Sequence, residues 1–381
     1  MNRRTFLKSL SLSTTAMLVR AESCTTTRLR EVSGSTLPLG VALQDHIDRV
    51  YTWRERALIR RHFKVITPEA AMKWPNCEPE PGKHNFANAD DLVAYAEHHD
   101  QKILGHTLLF NRDNEYPPWV FAHGSKKASA KLVEERLRDH IRTMMGRYSG
   151  RVYAWDVVNE AVEETAPYYR QTDWYHTFGK AFVPMAFLMA READPNAQLV
   201  YNDFSIENPP KRERVLILLD ELRREGVLPD VVGIQGHFEL DRLPYDDIEK
   251  TIVALHDAGV RVAVTELDID VVSRAKYWDL ATREEAIKQN PYPDGCPADV
   301  LARQAEQYGT LFRLFVKHVD KMERVTFWGL TDRHSWLNDW PWKRSNHGLI
   351  FDREARPKPA FYAVMDALRP LTEMERHGGS V

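Results

Sequence analysis

Cysteine is scarce in this chain of 381 residues, which has only Cys24, Cys77 and Cys296. Three cysteines cannot form a disulfide framework, and none of their spacings is typical of a zinc site. Cys77 and Cys296 could form one disulfide bond in an oxidising compartment if they lie close together, or they could remain thiols. The fold must therefore rest on a hydrophobic core, for which 43% hydrophobic residues provide the material.

An excess of charge is also missing, because 52 Lys and Arg residues offset 55 Asp and Glu residues and leave a formal net charge of -3. A protein that binds nucleic acid usually carries a basic surface, so no nucleic-acid partner is expected. No segment approaches 18 unbroken apolar residues, and no transmembrane segment is predicted. The composition favours a neutral partner.

The N-terminus resembles an export signal. Asn2-Arg-Arg-Thr-Phe-Leu-Lys8 contains a twin-arginine pair, and a modest apolar stretch follows over residues 9–19. This pattern predicts export to the periplasm or the outside of the cell, with cleavage near Ala21; a fortuitous basic N-terminus is the alternative. Cys24 could be a lipid attachment site, but Ala-Glu-Ser is a poor preceding sequence, which disfavours lipid anchoring.

Short β-rich runs alternate with longer amphipathic runs along the rest of the chain. Eight candidate strands cover residues 39–44, 64–67, 102–109, 152–159, 198–202, 231–236, 262–266 and 324–329. Helical spacing of apolar residues lies between them, over 130–145, 184–193, 211–224, 245–258, 300–319 and 359–368. Eight alternations predict an α/β fold, a single-domain (β/α)₈ TIM barrel. A doubly wound sheet is the alternative, but no Gly-x-Gly-x-x-Gly turn follows an early strand.

This pattern divides the chain into three parts. Residues 1–36 form the export signal and a short N-terminal segment, residues 37–371 form the barrel, and residues 372–381 form a polar tail. The longest insertions are predicted after the second, seventh and eighth strands, over 74–88, 271–297 and 331–346. Loops at the C-terminal ends of barrel strands build the substrate cleft.

Two glutamates close strand-like runs, Glu160 in Trp155-Asp-Val-Val-Asn-Glu160 and Glu266 in Thr265-Glu-Leu-Asp268. In a parallel barrel such strand ends meet at one face, so the two carboxyl groups should share a cleft. Two carboxyl groups in one cleft can cleave a glycosidic bond, one as proton donor and the other as nucleophile or base. Either glutamate alone would more often be an ordinary surface residue that ends a strand.

These two motifs, together with Gly233-Ile-Gln-Gly-His237, resemble the family 10 glycoside hydrolases, whose best-known members are retaining endo-β-1,4-xylanases. The resemblance covers nearly the whole chain after the N-terminal signal. Further matching motifs, in the order of the family, are Ile66-Thr-Pro-Glu69, Met72-Lys-Trp74, Gly105-His-Thr-Leu108, Ala193-Asp-Pro195, Tyr201-Asn-Asp203, Phe327-Trp-Gly-Leu-Thr-Asp332, Ser335-Trp336 and Pro357-Lys-Pro-Ala360.

The resemblance implies that Glu160 is the general acid/base and Glu266 the nucleophile, supported by Asn159, His237 and Asp268. Glu266 and Asp268 are two apart in a strand and should share a face, so both could approach His237. A histidine held by Asp268 can donate to Glu266 and keep it ionised. Glu160 must start protonated, and its pKa is expected to be raised by the charge of Glu266.

The resemblance also implies a set of substrate-binding residues. These are Glu69, Lys73, Trp74, His106, Asn202, Gln235, Trp328 and Trp336. Asn159 would bond the 2-hydroxyl of the sugar, or else satisfy local backbone groups; Gln235 could instead be a core residue. Trp340 and Trp342 could line the cleft or only pack a loop. His106 and His237 could suggest a metal, but the carboxylate and amide motifs explain this face without one, so no metal and no cofactor are predicted.

The chain departs from the family pattern at several sugar-binding positions. Ala70 replaces the usual Asn, Phe110-Asn-Arg-Asp113 replaces Trp-His-Ser-Gln, and Phe204-Ser205 replaces Tyr-Asn. From the export motif and the family resemblance we predict an exported retaining endo-β-1,4-xylanase. We expect it to be a monomer that acts on a β-linked polysaccharide or oligosaccharide. The alternative substrates are a decorated or different β-glycan and a small glycoside, and a non-catalytic glycan-binding barrel is the alternative function.

Overall fold

A computed structural model describes residues 28–34 and 36–376, with side chains as far as residue 371. Its centre is a ring of eight parallel strands, each formed by a short run rich in apolar and β-branched residues. The strands are β1 (Leu39–Leu43), β2 (Val65–Pro68), β3 (Lys102–Phe110), β4 (Val152–Asn159), β5 (Gln198–Asp203), β6 (Val231–Ile234), β7 (Arg261–Asp270) and β8 (Met322–Phe327).

The ring is closed because β8 pairs in parallel with both β7 and β1. Val325 of β8 lies opposite Val264 of β7 on one side and Leu39 of β1 on the other. The other strands pair in chain order. The predicted (β/α)₈ barrel is therefore confirmed, and all strands point their C-terminal ends to one face.

Long helices cover the outside of the barrel. They are α1 (Trp53–His62), α2 (Ala87–His98), α3 (Ala130–Arg147), α4 (Phe182–Ala193), α5 (Pro209–Arg224), α6 (Tyr245–Asp257), α7 (Ala298–Lys317) and α8 (Pro359–Arg376). The apolar faces of these helices and the outward faces of the strands form one large core. A second, small cluster of Val65, Leu104, Ala154, Val200, Val231 and Ala263 draws one residue from each of β2 to β7.

Several predictions made for the chain termini concern residues at the edge of the described region or beyond it. The twin-arginine motif, Ala21 and Cys24 lie outside the described residues. Leu29 and Val32 are buried in the main core. The domain boundaries at 37 and 371 stay predictions. No helix within residues 28–34 and 36–376 is long and apolar enough to span a membrane.

Cys77 and Cys296, whose state the sequence left open, are both free thiols in the structure. Cys77 is buried, and its Sγ donates to the Ala71 carbonyl oxygen over 3.1 Å. The two described cysteines therefore contribute packing and local hydrogen bonding, and the barrel is held by its core.

Candidate active site

An open cleft of about 1190 Å³ lies over the C-terminal ends of the strands. Its walls come from the loops that follow β2 to β8, as expected for a barrel of this kind. Glu160 and Glu266 both line it, together with Asn159, Gln235 and His237. The structure therefore brings the two predicted carboxyl groups into one cleft.

Glu160 is the first residue after β4 and has a positive φ of 59°. A non-glycine residue in this left-handed region costs about 1–2 kcal/mol, so the surroundings must hold it there. The Glu160 N–H donates to the Asn202 carbonyl oxygen over 2.9 Å. This bond to β5 fixes the point at which the chain leaves the barrel and turns the Glu160 side chain into the cleft.

Glu266 lies inside β7 and is held by two side chains. Asn202 Nδ2 donates to Glu266 Oε1 over 2.7 Å, and His237 Nε2 lies 3.1 Å from Glu266 Oε2. On the far side of the ring, His237 Nδ1 lies 2.9 Å from Asp268 Oδ2. The expected arrangement, in which Asp268 holds His237 against Glu266, is therefore present.

Gln235 connects the two carboxyl groups. The side-chain Nε2 of Gln235 donates to Glu160 Oε1 over 3.1 Å, and the backbone carbonyl oxygen of Gln235 accepts from the Glu266 N–H over 2.7 Å. Asn202 makes a second connection, because its Nδ2 also donates to Asn159 Oδ1 over 2.9 Å. Asn202 is fully buried, so it supports the side chains of the cleft and does not itself line the cleft.

The electrostatics of the two carboxyl groups differ. Burial opposes the charge on His237, but Asp268 and Glu266 outweigh it and raise the pKa of His237 to about 10. A protonated imidazole donates from both nitrogens, which suits two carboxylate partners. His237 is thus a cation beside the Glu266 carboxyl group at neutral pH.

The expectation of a raised pKa for Glu160 is not met in this structure. Burial pushes the pKa of Glu160 up, but the positive charge of Arg170 and hydrogen bonds from Gln235 and Arg170 outweigh it and leave the pKa below its usual value. Arg170 Nη1 donates to Glu160 Oε2 over 2.7 Å. Arg170 could not be predicted as this partner, because it lies in a loop without a periodic pattern.

The wall formed by the loops after β2 and β3 carries most of the departures from the family pattern. Lys73 Nζ lies 3.4 Å from Glu115 and 5.2 Å from the centre of the Phe110 ring. Burial raises the pKa of Glu69 to about 7, with Lys73 opposing the shift. Asp113 lines the cleft and accepts from the Tyr116 hydroxyl group over 3.0 Å.

His106 of β3 also lines the cleft, and its Nδ1 lies 2.8 Å from Asp156 Oδ2 of β4. Asp156 is almost fully buried. Its pairing with His106 could not be predicted, because the two residues are 50 apart in the sequence. Because one ring nitrogen is used by Asp156, the other is left to face the cleft. His106 therefore lines the cleft, and its role in binding sugar stays a prediction.

The tryptophans divide into two groups. Trp328, Trp336 and Trp340 line the cleft, and the rings of Trp336 and Trp340 stack with their centres 4.6 Å apart. Trp336 Nε1 also donates to Asp268 Oδ2 over 2.8 Å. Trp342 instead bonds the Gln289 carbonyl oxygen and packs under Arg344, so it belongs to the loop interior.

Trp74, which the sequence placed among the substrate-binding residues, lies outside the cleft. Its ring is 2% exposed and stacks on His140 of α3, with ring centres 3.9 Å apart. The short helix Trp74–Cys77 turns the side chain inward immediately after Lys73. Trp74 therefore packs in the core, in contrast to the prediction.

Glu207 is a cleft residue that sequence reasoning missed. It lines the cleft near Ser205 and Asn208, and burial raises its pKa to about 7. One of its carboxyl oxygens is buried without a hydrogen-bond partner among the described residues. The one signal in the sequence that could have placed Glu207 near the cleft is that it lies five residues after Asn202 of the motif Tyr201-Asn-Asp203.

The described residues contain no group of three or more His, Cys, Asp or Glu side chains arranged to hold a metal ion. The two histidines of the cleft are each paired with a carboxylate, His106 with Asp156 and His237 with Asp268 and Glu266. The cleft thus presents carboxyl groups, amides and indoles, which are suited to acid/base chemistry on a polyhydroxylated ligand.

A model of glycosyl hydrolase family 10 matches residues 29–367. The chain belongs to glycosyl hydrolase family 10. A β-1,4-xylanase of Dictyoglomus thermophilum is 36% identical over 339 residues, which cover 88% of this chain and 90% of that enzyme. An endo-1,4-β-xylanase of Geobacillus stearothermophilus is 35% identical over 343 residues, covering 89% of this chain and 98% of that enzyme.

A solved structure of a GH10 endoxylanase retrieved from a sugarcane soil metagenome agrees at the level of the fold. It superposes with a TM-score of 0.83 at 39% identity, covering 90% of this chain and 99% of the other. This family-10 chain is therefore a glycoside hydrolase.

Proposed function

We propose that this protein is a retaining endo-β-1,4-xylanase that cleaves internal bonds of xylan through a covalent glycosyl-enzyme. The observation that carries the proposal is the pair Glu160 and Glu266 in one cleft, each with its own polar support. The names of the related enzymes, which are xylanases, support the choice of xylan.

In the first step Glu266 attacks the anomeric carbon while Glu160 gives a proton to the departing glycosidic oxygen. His237 and Asn202 hold Glu266 in place for the attack. In the second step Glu160, now a carboxylate, removes a proton from water, and the water releases the sugar from Glu266 with net retention.

Other side chains of the cleft are proposed to bind the sugar. Asn159 would bond the 2-hydroxyl group of the sugar at the cleaved bond, a contact that can strengthen in the transition state. Trp328 and Trp336 would pack on the apolar faces of the sugar rings. Glu69, Lys73 and His106 would bond hydroxyl groups on the non-reducing side of the cleaved bond.

The altered wall supports a second candidate substrate within the same chemistry. Lys73 is engaged by Glu115 and Phe110, and Asp113 stands where the family has an amide. These contacts would weaken or redirect binding of a linear chain on this side. A decorated xylan, another β-glycan or a small glycoside is the corresponding proposal.

The test is hydrolysis of a panel of substrates: linear xylan, decorated xylans, other β-glycans and aryl β-xylosides. Release of xylo-oligosaccharides of mixed length would support endo cleavage, and NMR of the first product should show the β anomer. If an inverted product formed, the retaining assignment would be wrong. Binding without release of sugar from any substrate would favour a non-catalytic barrel.

We further propose that the protein is exported through the twin-arginine motif of residues 3 and 4 and works as a monomer. Fractionation of cells that express the full chain, compared with a chain in which Arg3 and Arg4 are both changed to Lys, would test the export. Light scattering of the purified protein would test the oligomeric state.

A further inference from the structure

Arg170 lies in the loop after β4 and reaches back onto the catalytic carboxyl group. The loop folds on itself, because the Arg170 N–H donates to the Ala161 carbonyl oxygen over 3.0 Å and Val162 pairs with Tyr169. Arg170 Nη1 then donates to Glu160 Oε2 over 2.7 Å at the wall of the cleft. The guanidinium group therefore occupies one oxygen of the proposed proton donor.

Arg170 has two further contacts that do not involve Glu160. Its Nε donates to Glu163 Oε1 over 2.8 Å, and its guanidinium carbon lies 5.4 Å from the centre of the Phe204 ring. Phe204 is one of the positions at which this chain departs from the family pattern. These contacts give Arg170 binding partners that do not depend on the charge of Glu160.

The partners of Glu160 suit a carboxylate. Gln235 donates to Oε1 and Arg170 donates to Oε2, and an arginine has no acceptor for the proton of a carboxylic acid. The first step of the proposed reaction, however, requires the carboxylic acid. Other charged groups around Glu160 are Glu163 of the same loop, Asp203 of β5, Lys211 of α5, His237 and Glu266.

We propose that Arg170 is a positioning residue that holds Glu160 as a carboxylate in the empty cleft and moves aside when the leaving-group sugar enters. The proposal rests on the acid/base role proposed above for Glu160. Once Arg170 has moved, Glu160 takes a proton from solvent and passes it to the glycosidic oxygen. After the leaving group departs, Arg170 returns and favours the carboxylate that accepts the proton of water in the second step.

The test is the pH dependence of Arg170→Met on a linear xylo-oligosaccharide. The basic limb of kcat/KM reports the free enzyme, in which Arg170 contacts Glu160. Loss of an adjacent opposite charge should move this limb to higher pH by about 1–3 units. The basic limb of kcat reports the substrate complex, in which Arg170 has already moved aside, and it should stay in place. Arg170→Lys keeps the charge and should give a smaller shift.

Arg214→Met is the matched control, because Arg214 supports the same loop without touching Glu160. Its Nη1 donates to the carbonyl oxygens of Thr165 over 2.7 Å and Pro167 over 3.2 Å. The control should loosen the loop and leave the basic limb of kcat/KM where the wild type has it. If the basic limb of kcat/KM shifted equally in Arg170→Met and Arg214→Met, loosening of the loop would explain the shift. That result would overturn the proposal.

An unchanged kcat/KM limb in Arg170→Met would also overturn the proposal. If Arg170→Met did not fold, an Arg170→Lys profile equal to that of the wild type would count against the proposal, and an intermediate profile would support it.

Glu160→Gln separates failure of this proposal from failure of the proposed function. If Glu160→Gln kept full activity on xylo-oligosaccharides, Glu160 would not be the acid. If Glu160→Gln were inactive while Arg170→Met kept its limb, the inference about Arg170 alone would fail.

Discussion

Asp268 serves two cleft side chains at once, since it accepts from Trp336 Nε1 and holds His237 Nδ1. Asp268→Asn should lower the pKa of His237 and weaken its bond to Glu266. A hydrogen bond to a charged group contributes about 1.5–3 kcal/mol, so kcat/KM on xylo-oligosaccharides should fall by about 10- to 150-fold. Steady-state kinetics would measure the loss.

The matched control for this change is Asp241→Asn. Asp241 forms an ion pair with Arg303 at the surface, where both side chains are largely exposed. Exposed pairs contribute little, so this variant should retain wild-type kinetics. If Asp268→Asn also retained wild-type kinetics, the chain from Asp268 through His237 to Glu266 would have no role in the reaction.

Glu160→Gln should separate the two roles proposed for Glu160. Substrates with poor leaving groups need a proton donor and should lose nearly all activity, whereas activated aryl xylosides should still form the glycosyl-enzyme. Added azide should then restore turnover with retained configuration, because azide attacks without a general base. Polarimetry or NMR would follow the product. Failure of azide to rescue the aryl substrate would contradict the acid/base assignment.

At the residue scale, the sequence predicted which side chains meet but not how all of them are charged. Glu160, Glu266, His237 and Asp268 could be placed together because strand ends converge in a barrel. Arg170 could not be placed, since its loop has no period that fixes where a side chain points. Trp74 was misplaced because adjacency to Lys73 in a motif does not decide which way a one-turn helix faces.

At the scale of elements, all eight strands could be located to within a few residues, because each is a short apolar run with clear limits. β7 is longer than predicted and continues through Asp268 to Asp270. α1 was not singled out, because four arginines of Trp53–His62 leave only a weak apolar stripe. Long loops after β3 and β4 were also not singled out, since loop length alone leaves no pattern.

Gly105 of β3 lies directly opposite Trp155 of β4 and packs closely against its ring. A Cβ atom added at Gly105 would lie 2.1 Å from the Trp155 ring, which is buried and cannot move freely. Gly105→Ala should therefore lower the free energy of unfolding by about 1–3 kcal/mol or more through overpacking. Chemical denaturation would measure the loss.

Gly146→Ala in α3 is the matched control, because nothing lies within 4 Å of an added Cβ atom there. Gly146 lies in the last turn of α3, where alanine is favoured over glycine by at most about 1 kcal/mol, so this variant should be as stable as the wild type or slightly more stable. Equal stability of the two variants would show that β3 and β4 can separate without cost.

For the molecule as a whole, one pH effect on stability comes from a histidine that does not line the cleft. His140 of α3 is buried against Trp74, and burial lowers its pKa to about 3. In the folded state His140 therefore stays neutral down to about pH 3, whereas in the unfolded chain it becomes protonated below pH 6.5. The stability that depends on neutral His140 is fully present above that pH and is lost as the pH falls toward 3.

His140→Phe keeps a ring against Trp74 and removes the proton. The melting temperature of the wild type should fall more steeply between pH 6.5 and pH 3 than that of the variant, and calorimetry at several pH values would show it. The comparison between the two proteins matters, because Glu69 and Glu207, with pKa values raised to about 7, contribute the opposite slope in both. Parallel curves would contradict the buried, neutral state of His140.

The barrel holds Glu266 within β7 and Glu160 immediately after β4, so that both carboxyl groups reach one cleft. The most direct test is to trap the glycosyl-enzyme with a 2-fluoro xylobioside that carries an activated leaving group, followed by digestion and mass spectrometry. We expect one sugar per protein, attached to the peptide that contains Glu266. A label on another residue, or full turnover-dependent inactivation of Glu266→Gln by the same compound, would contradict the assignment of Glu266 as the nucleophile.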